Sequence, residues 1–441
     1  MSEPRPFHWE YKEPPVPRES IRIEGGVELS GEVPISGSKN AALKLLAAAT
    51  LTGERCRFTN VPEIADVAVM ADVLRDLGVV VDQPERNTYE VSAGDVDWNF
   101  VPLEAAAKMR ASFILLGPLL ARIGRVIISN PGGDRIGRRP VNLHVDAMRA
   151  LGAEISYRNG YYFAESPGRL RGGVVEFPHI TVMGTENAML AATLADGHTV
   201  IRPAAQEPEV EDLIDLLNAM GAEVARTAPD TIEIEGKRRL RGATHRVMGD
   251  RIEAGTFAIA AAVTGGHVSL DGAPSSHLGA FLDVLDSVGV SVIRDGDRVE
   301  IDGAAGGRGY RSIDITTAAY PGLATDLQSP TSVLLTQASG SSTIHETIYE
   351  DRLEWLSDLR AMGADVELQD AHHATITGPT RLHGAELEMG DLRAGASQIL
   401  AALAADGVST ISGVHHVRRG YEDIERKLLD LGARIEQVPA G

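Results

Sequence analysis

"LRDLGVVVD", Leu74–Asp82, decides the fold of this chain, because its pattern returns five more times. An amphipathic helix ends in Leu, Met or Val, one glycine follows, and a strand starts at once. The other copies are "MRALGAEIS" (148–156), "LNAMGAEVA" (217–225), "LDSVGVSVI" (285–293), "LRAMGADVE" (359–367) and "LLDLGARIE" (428–436). Their glycines are Gly78, Gly152, Gly221, Gly289, Gly363 and Gly432, at spacings of 74, 69, 68, 74 and 69 residues. A glycine just past a helix end is expected in the left-handed region, where other residues are strained. A fixed period of this length marks a repeated supersecondary unit and is read before any single element.

A second element recurs in step. "KLLAAATLTGE", "ILLGPLLARIG", "MLAATLADGHTVI", "AIAAAVTGGHVSL", "VLLTQASGSSTI" and "ILAALAADGVSTI" are almost wholly apolar, reach a glycine or a small polar turn, and pass into a strand. A helix that is apolar all round is buried on every side. Each unit therefore holds one central helix, one outer amphipathic helix and several strands, roughly βαβαββ. A unit of about 70 residues is too long for a common solenoid repeat. The fold class is α/β, with two inverse α/β domains, each of three βαβαββ units around buried parallel helices. The spacing pattern places the seam between the third and fourth units. The expected division is an N-terminal extension over 1–20, one domain over 39–248, and a second over 21–38 plus 249–441. The opening strand, "IRIEGGVELSGEVPIS", completes the second domain, so that the chain crosses over near 36–40 and again near 248–252.

Composition narrows the function. Hydrophobic content of 43% and charged content of 24% are ordinary for a globular protein, and 441 residues suffice for two or three domains. A net charge of −20 argues against nucleic acid or an anionic membrane as a general partner. No run of 18 apolar residues predicts membrane insertion. The single cysteine, Cys56 in "GERCRFTN", excludes an internal disulfide, suits a reducing, cytoplasmic setting, and reads as a packed small hydrophobe. The first twenty residues, charged and proline-rich, carry no secretion-signal pattern and read as a surface arm.

Against that acidic background several loops collect cations. "VPISGSKNAALKLLAAATL" (33–51) opens a buried helix with Ser36-Gly37-Ser38-Lys39-Asn40. A lysine at a helix N-terminus opposes the helix dipole and makes sense when an anion sits there; the plain alternative is a capped helix with Lys39 turned to solvent. "PGGDRIGRRPVNLH" (131–144) joins a Gly-Gly turn to Asp134, Arg135, Arg138 and Arg139, a set suited to phosphate or carboxylate. "KMRAS" opens the second buried helix with Arg110. "TVMGTENAML" carries Thr181, Glu186 and Asn187 ahead of the third, "ATDLQSP" carries Asp326 and Gln328 ahead of the fifth, and "MGDLRAGAS" carries Asp391, Arg393 and Ser397 ahead of the sixth. "ETIYEDRLEW" adds Arg352, and "VRRGYEDIE" adds Arg418 and Arg419. Buried helices that run parallel gather their N-termini on one face, and two such faces are expected to form an anion-attracting cleft.

In this order, over residues 21–436, the motifs "SGSKNAAL", "MRAS", "PGGDRIGRRPVNLH", "GTEN", "QEPEVEDL", "DRIEAGTF", "TDLQSP", "ETIYEDR", "DLRAGAS" and "RRGYE" resemble the UDP-N-acetylglucosamine 1-carboxyvinyltransferase family of enolpyruvyl transferases. The resemblance implies transfer of enolpyruvate from phosphoenolpyruvate to the 3′-hydroxyl of the sugar nucleotide by addition and elimination, with release of phosphate, in peptidoglycan synthesis. It implies no metal or organic cofactor. It assigns Lys39, Arg139, Arg393 and Arg419 to phosphoenolpyruvate, with Asn40 beside Lys39. Asp326 takes the hydroxyl proton. Arg110, Arg139, Pro140, Val141, Asn142, Leu143, His179, Thr181, Val182, Ile348 and Arg352 complete the substrate contacts.

Four positions depart from the family pattern. Asp134 stands where many members have a proton-donating cysteine, and some have aspartate. Asn142 replaces a common aspartate, His179 falls where some members have lysine, and Arg418 replaces a frequent acidic residue. A carboxyl group donates only when protonated, so Asp134 is expected to take up its proton in the closed ternary complex. A carboxylate is also a poor nucleophile toward the epoxide fosfomycin, so resistance is expected. The alternatives are a paralogue with another acceptor, such as the shikimate-pathway enzyme, a non-catalytic sugar-nucleotide binder, and a structural repeat scaffold. The loop 131–144 speaks against the shikimate acceptor. The combination of Lys39, Asp326, Arg393 and Arg419 speaks against binding alone.

Overall fold

The computed structural model describes residues 19–438 except 95, 97, 98, 135 and 305–308. Residues 1–18, most of the expected N-terminal extension, and Arg135 therefore lie outside the described residues. The described residues form two compact units. One comprises Gly37–Gly133 and Arg139–Met248; the other comprises the residues before Gly37, the short loop Asp134–Arg138, and the residues from Gly249 onward. Each unit has its own apolar core.

Six four-stranded sheets are built among the described residues, three in each unit. The third repeat shows the plan. Val174–Glu176 leads into a buried helix, Val182–Ala192, then His198–Arg202, an outer helix, Pro208–Ala219, and a hairpin of Glu223–Ala228 and Thr231–Glu235. The first two strands pair in parallel, as a crossover helix requires, and the hairpin adds antiparallel strands. The recurring glycines close the outer helices in the left-handed region, with φ between 86° and 105°.

Both units complete a sheet with a strand from elsewhere in the chain. In the first, Thr244–Arg246 pairs in parallel with Arg55–Thr59 of the opening repeat. In the second, the stretch expected as one opening strand is two. Ser20–Glu24 lies between Val408–Ser412 and Arg434–Val438, and Ser30–Pro34 pairs with His267–Asp271. The chain turns at Gly26 (φ 77°), because two different sheets each lack a strand and one straight strand cannot fill both places.

Six buried helices lie under the sheets: Lys39–Ala48, Leu116–Ile123, Val182–Ala192, Arg251–Thr264, Thr325–Leu335 and Leu392–Ala404. Four of them start differently from the expectation, while the first opens at Lys39 as expected. Glu186 and Asn187 lie inside the third helix, Asp326 and Gln328 inside the fifth, and Arg393 and Ser397 inside the sixth. The second begins as a 3₁₀ stretch, Arg110–Leu115, so Arg110 precedes the α-helix by more than a turn. Polarity misplaced these boundaries because the polar side chains are satisfied by other helices or, as for Gln328 and Ser397, within their own. Asn187 Oδ1 accepts from the Gly117 amide at 2.6 Å, and its Nδ2 donates to the Phe113 carbonyl at 3.0 Å.

Lys44 and Glu186 form a fully buried ion pair at 3.5 Å between the first and third helices. Burial raises the Glu186 carboxyl to about 7, although Lys44 pulls the other way; Glu209 and Glu207 add to the rise. An acid whose folded pKa lies above its unfolded value stabilises the fold at low pH, and that contribution is lost as pH rises from about 4.5 to about 7. Glu186→Gln is therefore expected to remove up to about 1.4 kcal/mol per pH unit from the slope of unfolding free energy in that window. Denaturant titrations at several pH values read this slope, and an unaltered slope would exclude a raised Glu186.

Candidate active site

Lys39 is the first residue of its helix. The Ser38 Oγ caps that helix by accepting from the Ala41 amide at 3.3 Å. The lysine is not turned to solvent. It is 8% exposed, and its Nζ lies 2.8 Å from the carboxylate of buried Asp66 in the first turn of the helix Ala65–Asp76. The carboxylate offsets the cost of a cation at a helix start. Asp66 escaped the sequence reading because "ADVAVM" shows it as one more polar position on an amphipathic helix. Asn40 follows Lys39 and is partly exposed.

The second repeat joins Arg110 to the loop after Gly132. The Arg110 Nη2 donates to the Arg139 carbonyl and reaches the Pro140 carbonyl at 3.4 Å. Val141 begins the helix Asn142–Ala150 without a side-chain cap. The run Arg139–Leu143 thus presents an uncapped helix start beside two guanidinium groups, an arrangement that favours anions. Under it lies buried His144, whose ring bonds Asn187 at 3.1 Å. Burial, and then Arg110, lower His144 to about 3, which keeps the ring neutral. In the third repeat Thr181 caps its helix, accepting from the Gly184 amide at 3.3 Å, and Val182 is the first helical residue. His179 is exposed, and the structure joins it to none of these groups by a side-chain bond.

In the second unit the starts of three buried helices converge. Asp250 and Asp391 cap the fourth and sixth, each accepting from two backbone amides. The fifth starts at Ala324 without a side-chain cap, so Asp326 in its first turn is not a capping aspartate. Its two carboxylate oxygens are divided between two buried arginines. Arg352 Nη2 donates to Oδ1 at 2.6 Å, while Arg393 donates to Oδ2 from Nη2 at 2.9 Å and from Nε at 3.0 Å. Burial opposes the Asp326 charge, yet Arg393, then Arg352 and Arg251, outweigh it and hold the carboxyl well below the usual carboxylate range. Arg393 also lies over the Tyr421 ring, 5.3 Å from its centroid. Its Nη1 is buried and has no hydrogen-bond partner among the described residues.

Arg419 completes this group. Its Nη1 donates to Asp134 Oδ1 at 2.7 Å. Arg418 instead pairs with Glu425 at 2.8 Å and with Glu19. The Ile348 side chain is exposed, while its amide donates to the buried Glu346 at 2.8 Å. Glu346 also accepts from Thr317 and Thr325, which fixes the segment after Gly340–His345 against the start of the fifth helix. No sequence signal marked Glu346, since its partners lie about 20 and 30 residues away.

The predicted residues therefore fall in two sets, one in each unit. The first has a lysine and two arginines at helix starts; the second has arginines gathered on carboxylates. Buried guanidinium groups such as Arg352 and Arg393 can hold a small polyanion and stabilise charge that develops on it.

Residues 23–428 match the family model described as EPSP synthase (3-phosphoshikimate 1-carboxyvinyltransferase). The UDP-N-acetylglucosamine 1-carboxyvinyltransferase of Caulobacter vibrioides is 44% identical over 421 residues, covering 95% of this chain and 97% of the relative. That of Maricaulis maris is 45% identical over 424 residues, covering 96% and 99%. Among solved structures, the enolpyruvyl transferase NikO from Streptomyces tendae superposes with a TM-score of 0.88 at 26% identity, covering 97% of this chain and all of that one. An EPSP synthase from Acinetobacter baumannii, 19% identical with a TM-score of 0.73, shares the fold over 95% of this chain. Cation-lined helix starts, the sixfold repeat and relatives that match nearly end to end lead to one conclusion: the chain belongs to the EPSP synthase family of enolpyruvyl transferases, and within it to the UDP-N-acetylglucosamine 1-carboxyvinyltransferases.

Proposed function

We propose that this protein transfers the enolpyruvyl group of phosphoenolpyruvate to the 3′-hydroxyl of UDP-N-acetylglucosamine, with release of phosphate, in peptidoglycan synthesis. The observation that carries this reading is the buried Arg393, whose Nη1 has no partner among the described residues, beside Arg352 and Asp326. A buried donor without a partner costs stability, and an anionic substrate oxygen is its natural complement. Lys39, Arg139, Arg393 and Arg419 hold the phosphate and carboxylate. Asp326 accepts the proton of the attacking hydroxyl, and Asp134 supplies one to the enol methylene. The helix start Arg139–Leu143, with Arg110, Thr181, Val182 and Ile348, takes the sugar nucleotide. The names of the relatives support this acceptor over a shikimate phosphate. Because Asp134 replaces a thiol, the reading includes resistance to fosfomycin.

Phosphate release from phosphoenolpyruvate tests the acceptor. It is expected with UDP-N-acetylglucosamine and not with shikimate 3-phosphate. The reverse preference would assign the chain to the other reaction of the family.

A further inference from the structure

The loop that carries Asp134 is held by more than the Arg419 ion pair. The Arg138 amide donates to Glu350 Oε1 at 3.0 Å, and the Asp351 amide donates to the Ile136 carbonyl at 3.3 Å. Ile136 is buried beneath them. Between the two bonds sits Gly137, with φ of 129°, a conformation that side chains rarely adopt. A Cβ there would lie 2.5 Å from Glu350 Oε2, so the glycine is what lets the carboxylate close on the backbone. Glu350 itself extends from the segment that Glu346 ties to Thr325, next to Asp326. The base of the contact is therefore fixed. The bond from Arg138 is also the main influence that lowers the Glu350 carboxyl from its ordinary range.

We propose that Glu350 is a positioning residue for Asp134: its carboxylate grips the Arg138 amide and fixes the short loop that presents Asp134 to Arg419. The role of Asp134 as proton donor is taken from the proposed function, and the inference rests on it. Glu350 acts through Asp134, by restricting where its carboxyl can go. A loop of this size without such an anchor opens more often, and a donor displaced by about 1 Å costs roughly a hundredfold at worst.

Limited trypsin digestion of the full-length protein reads the loop directly. Arg135 and Arg138 are cleavable sites in it, and Arg139 is protected by Pro140. Glu350→Ala is expected to speed cleavage at these arginines by about tenfold with an unchanged melting temperature. Gly137→Ala does the same by crowding the carboxylate off the Arg138 amide without removing it from the chain. Glu350→Gln, which keeps an acceptor oxygen for the Arg138 amide, retains protection within about threefold. With UDP-N-acetylglucosamine, kcat of Glu350→Ala falls about tenfold at a nearly constant KM for the sugar nucleotide. In an Asp134→Asn background the same change costs less than about twofold, because the residue it positions is already disabled. Unchanged cleavage in both Glu350→Ala and Gly137→Ala would overturn the inference, as would an undiminished effect in the Asp134→Asn background. Faster cleavage with unaltered kcat would instead remove Asp134 from its place as proton donor, and with it the catalytic meaning of the anchor.

Discussion

Replacing Asp326 by asparagine is expected to lower turnover about a hundredfold or more, while UDP-N-acetylglucosamine still binds. Asparagine keeps the shape of the side chain and removes its basicity, and positioned general bases contribute on that scale. The structure sharpens the expectation. A capping aspartate would lose about 1 kcal/mol of stability and leave each folded molecule active. Asp326 caps nothing; it is divided between Arg352 and Arg393. Its low folded pKa means that it stabilises the fold above the unfolded value of about 3.9 and loses that contribution as pH falls toward the folded value. Asp326→Asn is accordingly less stable near neutrality and less sensitive to acid. Rates per folded molecule, measured well below the melting temperature, separate chemistry from stability. Turnover within a few-fold of wild type would remove Asp326 as the base. A carboxylate gripped by two guanidinium groups is a weak base, so the proposed role of Asp326 requires bound substrate anions to compete for Arg352 and Arg393.

The second large effect is expected at Asp134. Asp134→Asn lacks an acidic proton and should lose at least about a hundredfold in turnover. Asp134→Cys should retain activity and, unlike wild type, form a time-dependent covalent adduct with fosfomycin. An epoxide is opened readily by a thiolate and slowly by a carboxylate, and a thiol here would face Arg419, which favours the thiolate. Intact-protein mass spectrometry after incubation with fosfomycin gives the answer. An adduct on the unaltered protein, or full activity in Asp134→Asn, would contradict the role given to Asp134.

The architecture was legible because it is written locally and repeated. A helix, a left-handed glycine such as Gly152 or Gly363 and a strand each follow from a few neighbouring residues, and six copies average out accidents. The parts that escaped depend on pairing across long distances. Lys39 reads as an isolated cation until Asp66 folds against it. The opening strand reads as continuous until two sheets compete for it. "GTEN" and "DLRAGAS" read as loops because their polar residues are satisfied inside the protein rather than by solvent: Glu186, Asn187 and Arg393 by other helices, Ser397 by the Arg393 carbonyl of its own helix. Asp326 and Arg393 were identifiable through family resemblance, but their mutual ion pair, and the hold of Glu350 on the Arg138 amide, exist only in three dimensions.

One measurement bears most directly on the proposed function: mass spectrometry of the mixture formed by the purified protein with phosphoenolpyruvate and UDP-N-acetylglucosamine. The account predicts a sugar nucleotide heavier by one enolpyruvyl group, formed in step with one phosphate and absent with Asp326→Asn over the same interval. An unmodified sugar nucleotide after prolonged incubation with wild-type protein, or enolpyruvyl transfer to shikimate 3-phosphate in its place, would contradict it.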